Sequence, residues 1–261
     1  MSLLSIHDLQ LSFRNPSGEA AVLRGVGLHV DRGETLALVG ESGSGKSMTA
    51  RSVLRLLPKN AVVAGSIRFE DTDMLTATER EIRAVRRERI GMIFQDPRAH
   101  INPVRTIGDF LTEALRVRGI GRREARRRAL ESLDAVRIPH ASERLRAYPH
   151  ELSGGMLQRI MIASVLLSEP VLILADEPTT ALDVTTQAEV LAILDELRTE
   201  RGLAMILITH DLDLAAAICD RTAVMSQGTI VEEATSHDIQ YAPKHPYTQR
   251  LVGDRPKLPT K

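Results

Sequence analysis

The 261-residue chain is short of several things, and each shortage excludes something. Cys219 is its one cysteine, so no disulfide framework and no Cys-rich zinc or iron–sulfur site can be built. That count fits a reducing compartment. Neither sign of charge is in excess: Lys+Arg and Asp+Glu are both 34, for a formal net charge of zero. Binding to nucleic acid through bulk positive charge is therefore not expected, and no nucleic-acid partner is read, although a local basic patch stays open. Lysine is scarce: five basic residues are Lys (46, 59, 244, 257 and 261) and the rest are Arg. The longest apolar stretch, near Leu203–Ile208, falls far short of the ~20 residues of a membrane helix. The opening MSLLSIHDLQ has no basic region followed by an apolar run, so no signal peptide is expected.

What is present is ordinary globular material, 43% hydrophobic and 26% charged, enough to bury a large core in one large domain or two small ones. Leu3–Phe13, Val22–Val30 and Glu34–Val39 read as strands, broken by Asn15-Pro16-Ser17-Gly18 and Asp31-Arg32-Gly33. A Gly-rich loop leads into a helix that runs toward Pro58. Ile67–Phe69 and Arg89–Gln95 look like short strands, with a charged helix over Thr78–Arg87. From Asp96 to about Arg146 the chain is rich in Arg, Glu, Ala and Leu, with helical periodicity in Ile107–Val117 and Glu124–Val136, the texture of a helical insert. A helix over Gly154–Leu167, a buried strand over Val171–Ala175, then helix 184–199, strand 203–208, helix 212–218 and a strand pair near 222–232 complete an alternation that predicts an α/β layer fold. The tail 241–261 carries four prolines and is expected to lie over the surface.

Three segments carry chemistry. Gly40, Glu41, Ser42, Gly43, Ser44, Gly45, Lys46 and Ser47 match G-x-x-x-x-G-K-[ST] between a strand and a helix, the context of a phosphate-binding loop. Glycines let backbone N–H groups turn inward around phosphate oxygens, and the following helix aims its positive end at the anion. Lys46 is suited to reach the β- and γ-phosphates and the Ser47 hydroxyl to ligate Mg²⁺; Met48 follows in the cofactor-binding set. Leu172–Ala175 is an apolar run ending in Asp176 and Glu177. Acidic residues after a strand are often only a solvated loop. Beside a phosphate loop, Asp176 is suited to hold Mg²⁺ and Glu177 to polarise an attacking water. Ser153-Gly154-Gly155-Met156 opens a helix, with Ser153 a good N-cap. It reads either as a capped helix start or as a second anion site.

Together these segments resemble the ATP-binding cassette (ABC) ATPases over nearly the whole chain. Gly40–Ser47 is similar to their Walker A, Gln95 to the Q-loop, Leu152–Met156 to the signature, and Leu172–Asp176 to Walker B with Glu177 as catalytic glutamate. Ala181-Leu182-Asp183 resembles the D-loop and His210 the switch histidine. The signature usually ends in Gln, where this chain has Met156. Phe94-Gln95-Asp96-Pro97 with Asn102-Pro103, Gln158-Arg159, Ala175-Asp-Glu-Pro-Thr-Thr180 and Lys244-His245-Pro246-Tyr247-Thr248 resemble the oligopeptide, dipeptide and nickel importer branch, in which Met156 is unsurprising. Some relatives carry Cys ligands for an iron–sulfur cluster in a longer C-terminal extension. With Cys219 alone none is expected, and the short tail leans toward the nickel or metal-chelate branch.

The resemblance implies a P-loop NTPase core with an N-terminal antiparallel β subdomain and a helical subdomain insert. The division is 1–95 and 159–232 for the core, 96–158 for the helical subdomain with the signature, and 233–261 for the tail. It implies ATP and Mg²⁺ as cofactors. Glu177, His210 and Gln95 are the catalytic residues, and Ser47, Gln95 and Asp176 the Mg²⁺ ligands. Phe13 lies where the family stacks an aromatic ring on adenine, or else is a strand-end core residue. Ser153, Gly154 and Gly155 would grip the nucleotide of a partner. The implied partners are a second, different ABC ATPase subunit, two integral membrane permease subunits and an extracytoplasmic binding protein. The implied location is the cytoplasmic face of the inner membrane. The competing readings are a soluble ATPase of the same superfamily in DNA repair or translation, and a nucleotide-binding regulatory module without turnover. The first usually needs paired cassettes or large inserts; the second is disfavoured by Glu177 and His210.

Other residues read more blandly. The Arg runs 83–89 and 122–128 interleave with Glu and Ala as solvated helix faces with i,i+4 pairs, or else contact a transporter loop or lipid headgroups, and Cys219 reads as a small buried apolar residue.

Overall fold

The computed structural model describes residues 2–16, 18–180 and 182–254. In chain order its elements are β1 (Ser2–Asn15), β2 (Gly18–Asp31), β3 (Thr35–Val39), α1 (Lys46–Val53), β4 (Ala61–Phe69), β5 (Thr72–Asp73), α2 (Glu79–Glu88), β6 (Ile90–Ile93), α3 (Pro97–His100), α4 (Ile107–Val117), α5 (Arg122–Ala135), α6 (Ala141–Arg144), α7 (Gly154–Leu166), β7 (Leu172–Asp176), α8 (Val184–Arg201), β8 (Ala204–Thr209), α9 (Leu212–Ile218), β9 (Arg221–Ser226), β10 (Thr229–Thr235), α10 (Ser236–Tyr241) and α11 (Pro246–Gly253). They form two compact units, one from the residues up to Ile82 together with those from Ala204 onward, the other from Arg83–Leu203.

In the first unit an antiparallel sheet runs in the order β2-β1-β4-β5. The alternation along β1 buries Leu9 and Leu11 and leaves His7 and Gln10 in water, as a sheet with one covered face requires. The same unit holds β10-β9-β3-β8, in which β3 lies between β8 and β9 and is parallel to both. All of β3 and β8 is buried, which is why both read as continuous apolar runs rather than alternating ones. Their register pairs Val39 with Thr209, so the phosphate loop and His210 leave the sheet at the same edge.

In the second unit β6 and β7 are parallel, with Ile93 beside Ala175. Gln95 and the Asp176-Glu177 pair therefore also emerge at a common edge. The longest helices of this unit are α4, α5, α7 and α8, and the buried faces of α4 (Ile107, Leu111, Leu115) and α5 (Ala125, Ala129, Leu133) follow helical spacing.

Three expectations change. The helix after the phosphate loop ends at Val53 instead of running toward Pro58. Arg55 turns into the left-handed region (φ 50°), and the N–H groups of Arg55 and Leu56 return to the carbonyls of Ser52 and Arg51, a Schellman closure. The strand expected at Ile67–Phe69 begins earlier, at Ala61, and bends where Gly65 (φ 96°) crosses the backbone of Asp8. The region from 241 onward is not simply laid over the surface: α11 buries Tyr247 and Thr248. The part of that tail beyond Asp254 lies outside the described residues. Among the described residues no helix is long and apolar enough to cross a membrane.

Candidate functional site

The phosphate loop is held from outside by close packing. A Cβ on Gly40 would lie 2.1 Å from the Met225 carbonyl oxygen, so no larger residue fits that turn. The N-cap of α1 is Gly45, which offers no side-chain acceptor, and the first turn of α1 has no acidic residue. The helix therefore presents its positive end to a ligand rather than to a side-chain cap of its own. Lys46 is 5% exposed, and its Nζ donates to the carbonyls of Gly40 (2.8 Å) and Glu41 (2.9 Å). These bonds hold the buried ammonium at the phosphate loop, a favourable place for an anion. The Ser44 Oγ is buried without a hydrogen-bond partner in the protein, a hydroxyl left for a ligand or water. Ser47 and Met48 are half-buried at the start of α1, while Glu41, Ser42 and Gly43 are exposed. These are features of an anion site, and they fit a nucleotide's phosphates.

His210 stands exposed between two fixed points. The Thr209 Oγ1 accepts the Asp211 N–H (3.0 Å), and the Asp211 carboxylate caps α9 by accepting from Asp213 (2.9 Å) and Leu214 (3.1 Å). Phe13 is half-buried in β1, paired with Ala20 on one side and Ala61 on the other, so its ring has only small neighbours in register.

The second unit gathers the acidic residues. Asp176 ends β7 and is 2% exposed. Glu177 follows in the left-handed region (φ 45°), a conformation costing a non-glycine residue on the order of 1–3 kcal/mol. Its Oε2 accepts from Gln95 Nε2 (2.9 Å) and from Thr180 Oγ1 (2.8 Å). The carboxylate is thus aimed by two donors from two different loops. Gln95 is itself fixed through its neighbour: Phe94 receives Gln158 Nε2 on its carbonyl (3.4 Å), directs its N–H at Met161 Sδ (3.4 Å), and stacks on His100 with ring centroids 3.7 Å apart. A cleft of about 550 Å³ is lined by Gln95, Gly154, Gln158, Thr180 and Leu182 among others.

Ser153 caps α7, its Oγ accepting the Met156 N–H at 3.3 Å. Gly155 is buried for a reason the sequence alone does not give. A Cβ there would lie 2.2 Å from Thr186 Cγ2, so the glycine lets α7 approach the start of α8. Thr186 cannot easily turn away, because its hydroxyl and N–H bond to Asp183, the N-cap of α8. Those same bonds, the N–H first, hold the Asp183 carboxyl below its ordinary value. Leu182 and Asp183 of the D-loop-like segment are described; Ala181 lies outside the described residues.

Thr180, Gln158 and Tyr247 stand in the sequence only as members of motifs. Thr180 reaches Glu177 across a single turn, whereas Gln158 and Tyr247 act through hydrogen bonds between distant segments, which no spacing along the chain reveals.

Known proteins can now be set beside this geometry. Residues 23–180 match the family model for the ABC transporter. The chain is 46% identical over 259 residues to the oligopeptide transport ATP-binding protein OppD of Bacillus subtilis (strain 168), covering 98% of this chain and 72% of that protein. It is equally 46% identical over 259 residues to the dipeptide transport ATP-binding protein DppD of the same organism, covering 98% and 77%. Among solved structures, a dimeric ATP-binding cassette in a post-hydrolysis state, bound to ADP and Pi, superposes with a TM-score of 0.78 at 27% identity, over 89% of this chain and 98% of that one. A family match across more than half of the sequence, and relatives nearly half identical along almost all of it, leave one conclusion: this chain belongs to the ABC transporter family, as an ATPase.

Proposed function

We propose that this chain is the ATP-hydrolysing subunit of an importer that takes up peptides, working at the cytoplasmic face of the inner membrane. The observation that carries the reading is the Glu177 carboxylate, strained in its backbone and aimed by Gln95 and Thr180. A carboxylate merely decorating a loop needs neither feature. The names of the peptide-transport relatives support the substrate class and favour it over nickel or metal chelates.

In this reading the phosphate loop binds ATP, with Lys46 exchanging its carbonyl acceptors for β- and γ-phosphate oxygens. Phe13 stacks on adenine. Glu177 orients a water for in-line attack on the γ-phosphorus and accepts its proton as the bond to the bridging oxygen breaks. His210 contacts the γ-phosphate. Ser47, Gln95 and Asp176 would hold Mg²⁺; hydroxyl, amide and carboxylate oxygens are the hard donors that ion takes, and when bound it supplies neutralisation of phosphate charge. Ser153, Gly154 and Gly155 complete the site of a second, different ATPase subunit facing this one head to tail. The 96–158 segment meets one of two membrane permease subunits, and an external binding protein delivers the cargo.

Affinity purification of the chain from detergent-extracted membranes tests this assignment. Integral membrane subunits should accompany it, and peptide uptake should be lost when the chain is deleted. A chain recovered without any integral membrane protein overturns the importer reading and leaves a soluble ATPase in its place.

A further inference from the structure

The phosphate loop has an outer tether that the catalytic reading does not use. Glu41 is held at both of its backbone groups: its carbonyl accepts from Lys46 Nζ at 2.9 Å and from the Ser44 N–H at 3.2 Å, and its N–H donates to Tyr247 Oη at 3.2 Å. Tyr247 stands in the first turn of α11, 206 positions along the chain, with its ring 9% exposed.

That ring is itself placed by a series of bonds. His245 Nδ1 accepts the Tyr247 N–H (3.2 Å), and Pro246 supplies the first helical residue. Glu232 on β10 accepts the N–H groups of Lys244 (2.7 Å) and His245 (3.0 Å) with its two oxygens. Burial would raise that carboxyl, but these bonds help hold it below its ordinary value, so the tether's base is an anion near neutral pH. The turn between β9 and β10 adds a second hold, Gly228 N–H to the Ser44 carbonyl at 3.0 Å.

The Lys46 and Tyr247 holds on Glu41 differ in what a nucleotide does to them. An ammonium has three donors, so phosphate competes with the Gly40 and Glu41 carbonyls for Lys46 and loosens its hold on Glu41, whose carbonyl then keeps the Ser44 N–H at 3.2 Å. The Tyr247 bond is made to the N–H and stays. We infer that Tyr247 is a positioning residue that keeps the phosphate loop preorganised for nucleotide, so that the segment after β10 acts on ATP affinity. The inference rests on the ATPase reading above.

Tyr247→Phe tests it, because it removes one oxygen and keeps the ring. In the assembled complex the dissociation constant for MgADP and the KM for ATP should rise about 3- to 10-fold, the span of one lost hydrogen bond, with kcat at saturating ATP unchanged. Hydrogen exchange of the 40–46 backbone should quicken, and the melting temperature without nucleotide should hold. Tyr247→Ala should weaken binding at least as much and also lower the melting temperature. Unchanged affinity and loop exchange in Tyr247→Phe overturn the inference. So does a lower melting temperature at unchanged affinity, which assigns Tyr247 to packing alone. Lys46→Ala is the control: retained ATP binding there refutes the ATPase reading itself, whereas lost binding in Lys46→Ala beside a silent Tyr247→Phe refutes only the tether.

Discussion

At the scale of single residues, one carboxylate collects most of the argument. Glu177 Oε2 receives Gln95 and Thr180, whose donor atoms are fixed by separate loops. Hydrogen bonds to a charged group contribute about 1.5–3 kcal/mol each. Thr180→Val keeps the shape of the side chain and removes the donor. If the aim of the carboxylate matters to turnover, kcat should fall about 10- to 100-fold, while the ATP dissociation constant stays within about twofold. Steady-state kinetics beside equilibrium binding separates the two. Lys46 makes the same point from the binding side. In a chain whose basic residues are mostly Arg, a Lys stands where the proposed mechanism needs a compact ammonium between loop carbonyls and phosphate, a task a planar guanidinium fork fits poorly.

At the scale of elements, helix starts do most of the placing. Helix α7 begins at a capped Ser153 and can lie against α8 only because Gly155 has no side chain to meet Thr186. Gly155→Ala should therefore destabilise the protein by about 1–3 kcal/mol through overpacking. Adding Thr186→Ser, which removes the obstructing methyl and keeps the hydroxyl on Asp183, should restore most of that loss in a denaturant titration. Without recovery, the glycine serves something other than this packing. Helix α5 shows the opposite kind of element, one stitched on its exposed face. Glu124 bonds Arg127 at 2.6 Å and Arg128 at 2.8 Å, and Arg127 also bonds Glu131. The hydrogen bonds from Arg127, then Arg128, hold the Glu124 carboxyl at about 2, against an ordinary 4.5. A depressed carboxyl stabilises the fold fully above its unfolded value and loses that contribution as pH falls through its folded value. The stability gap between wild type and Glu124→Gln should thus be constant above pH 4.5 and close as pH drops toward about 2. A urea midpoint series across that window measures it.

Elements were legible in the sequence where period and punctuation agreed. Ile107–Val117 is found with the limits its apolar spacing gives, and α9 likewise at 212–218. The reading failed where a local rule was overridden by a neighbour. Arg55 took a left-handed turn and stopped α1 early; Val62 and Val63 joined β4 across a glycine bend; and α11 formed and buried Tyr247 in a four-proline tail expected to lie over the surface, because one of those prolines, Pro246, occupies the first helical position, where proline is welcome. The site divides in the same way. Gly40–Ser47, Ser153–Gly155, Asp176, Glu177 and His210 are contiguous signals. Of the groups that aim or tether them, Thr180 shares the turn of Glu177, while Gln95, Gln158 and Tyr247 come from segments brought near only by the fold.

For the whole molecule, the zero net charge of the sequence is consistent with anion binding concentrated at a helix start and one lysine rather than spread over a basic surface. The proposed mechanism also makes the single chain incomplete, since another subunit's signature must close over its ATP. The isolated chain should bind ATP stoichiometrically yet hydrolyse it at least about 10-fold more slowly than the complex with its partner ATPase and membrane subunits. Equal rates would show a site that is complete without a partner. The central claim is that Glu177 performs the chemistry of the site, and one measurement reaches it most directly: ATP binding and single-turnover hydrolysis by the assembled complex carrying Glu177→Gln. The account requires ATP affinity at or above that of wild type and a hydrolysis rate lower by about 10²–10⁴-fold. Hydrolysis at the wild-type rate would contradict it.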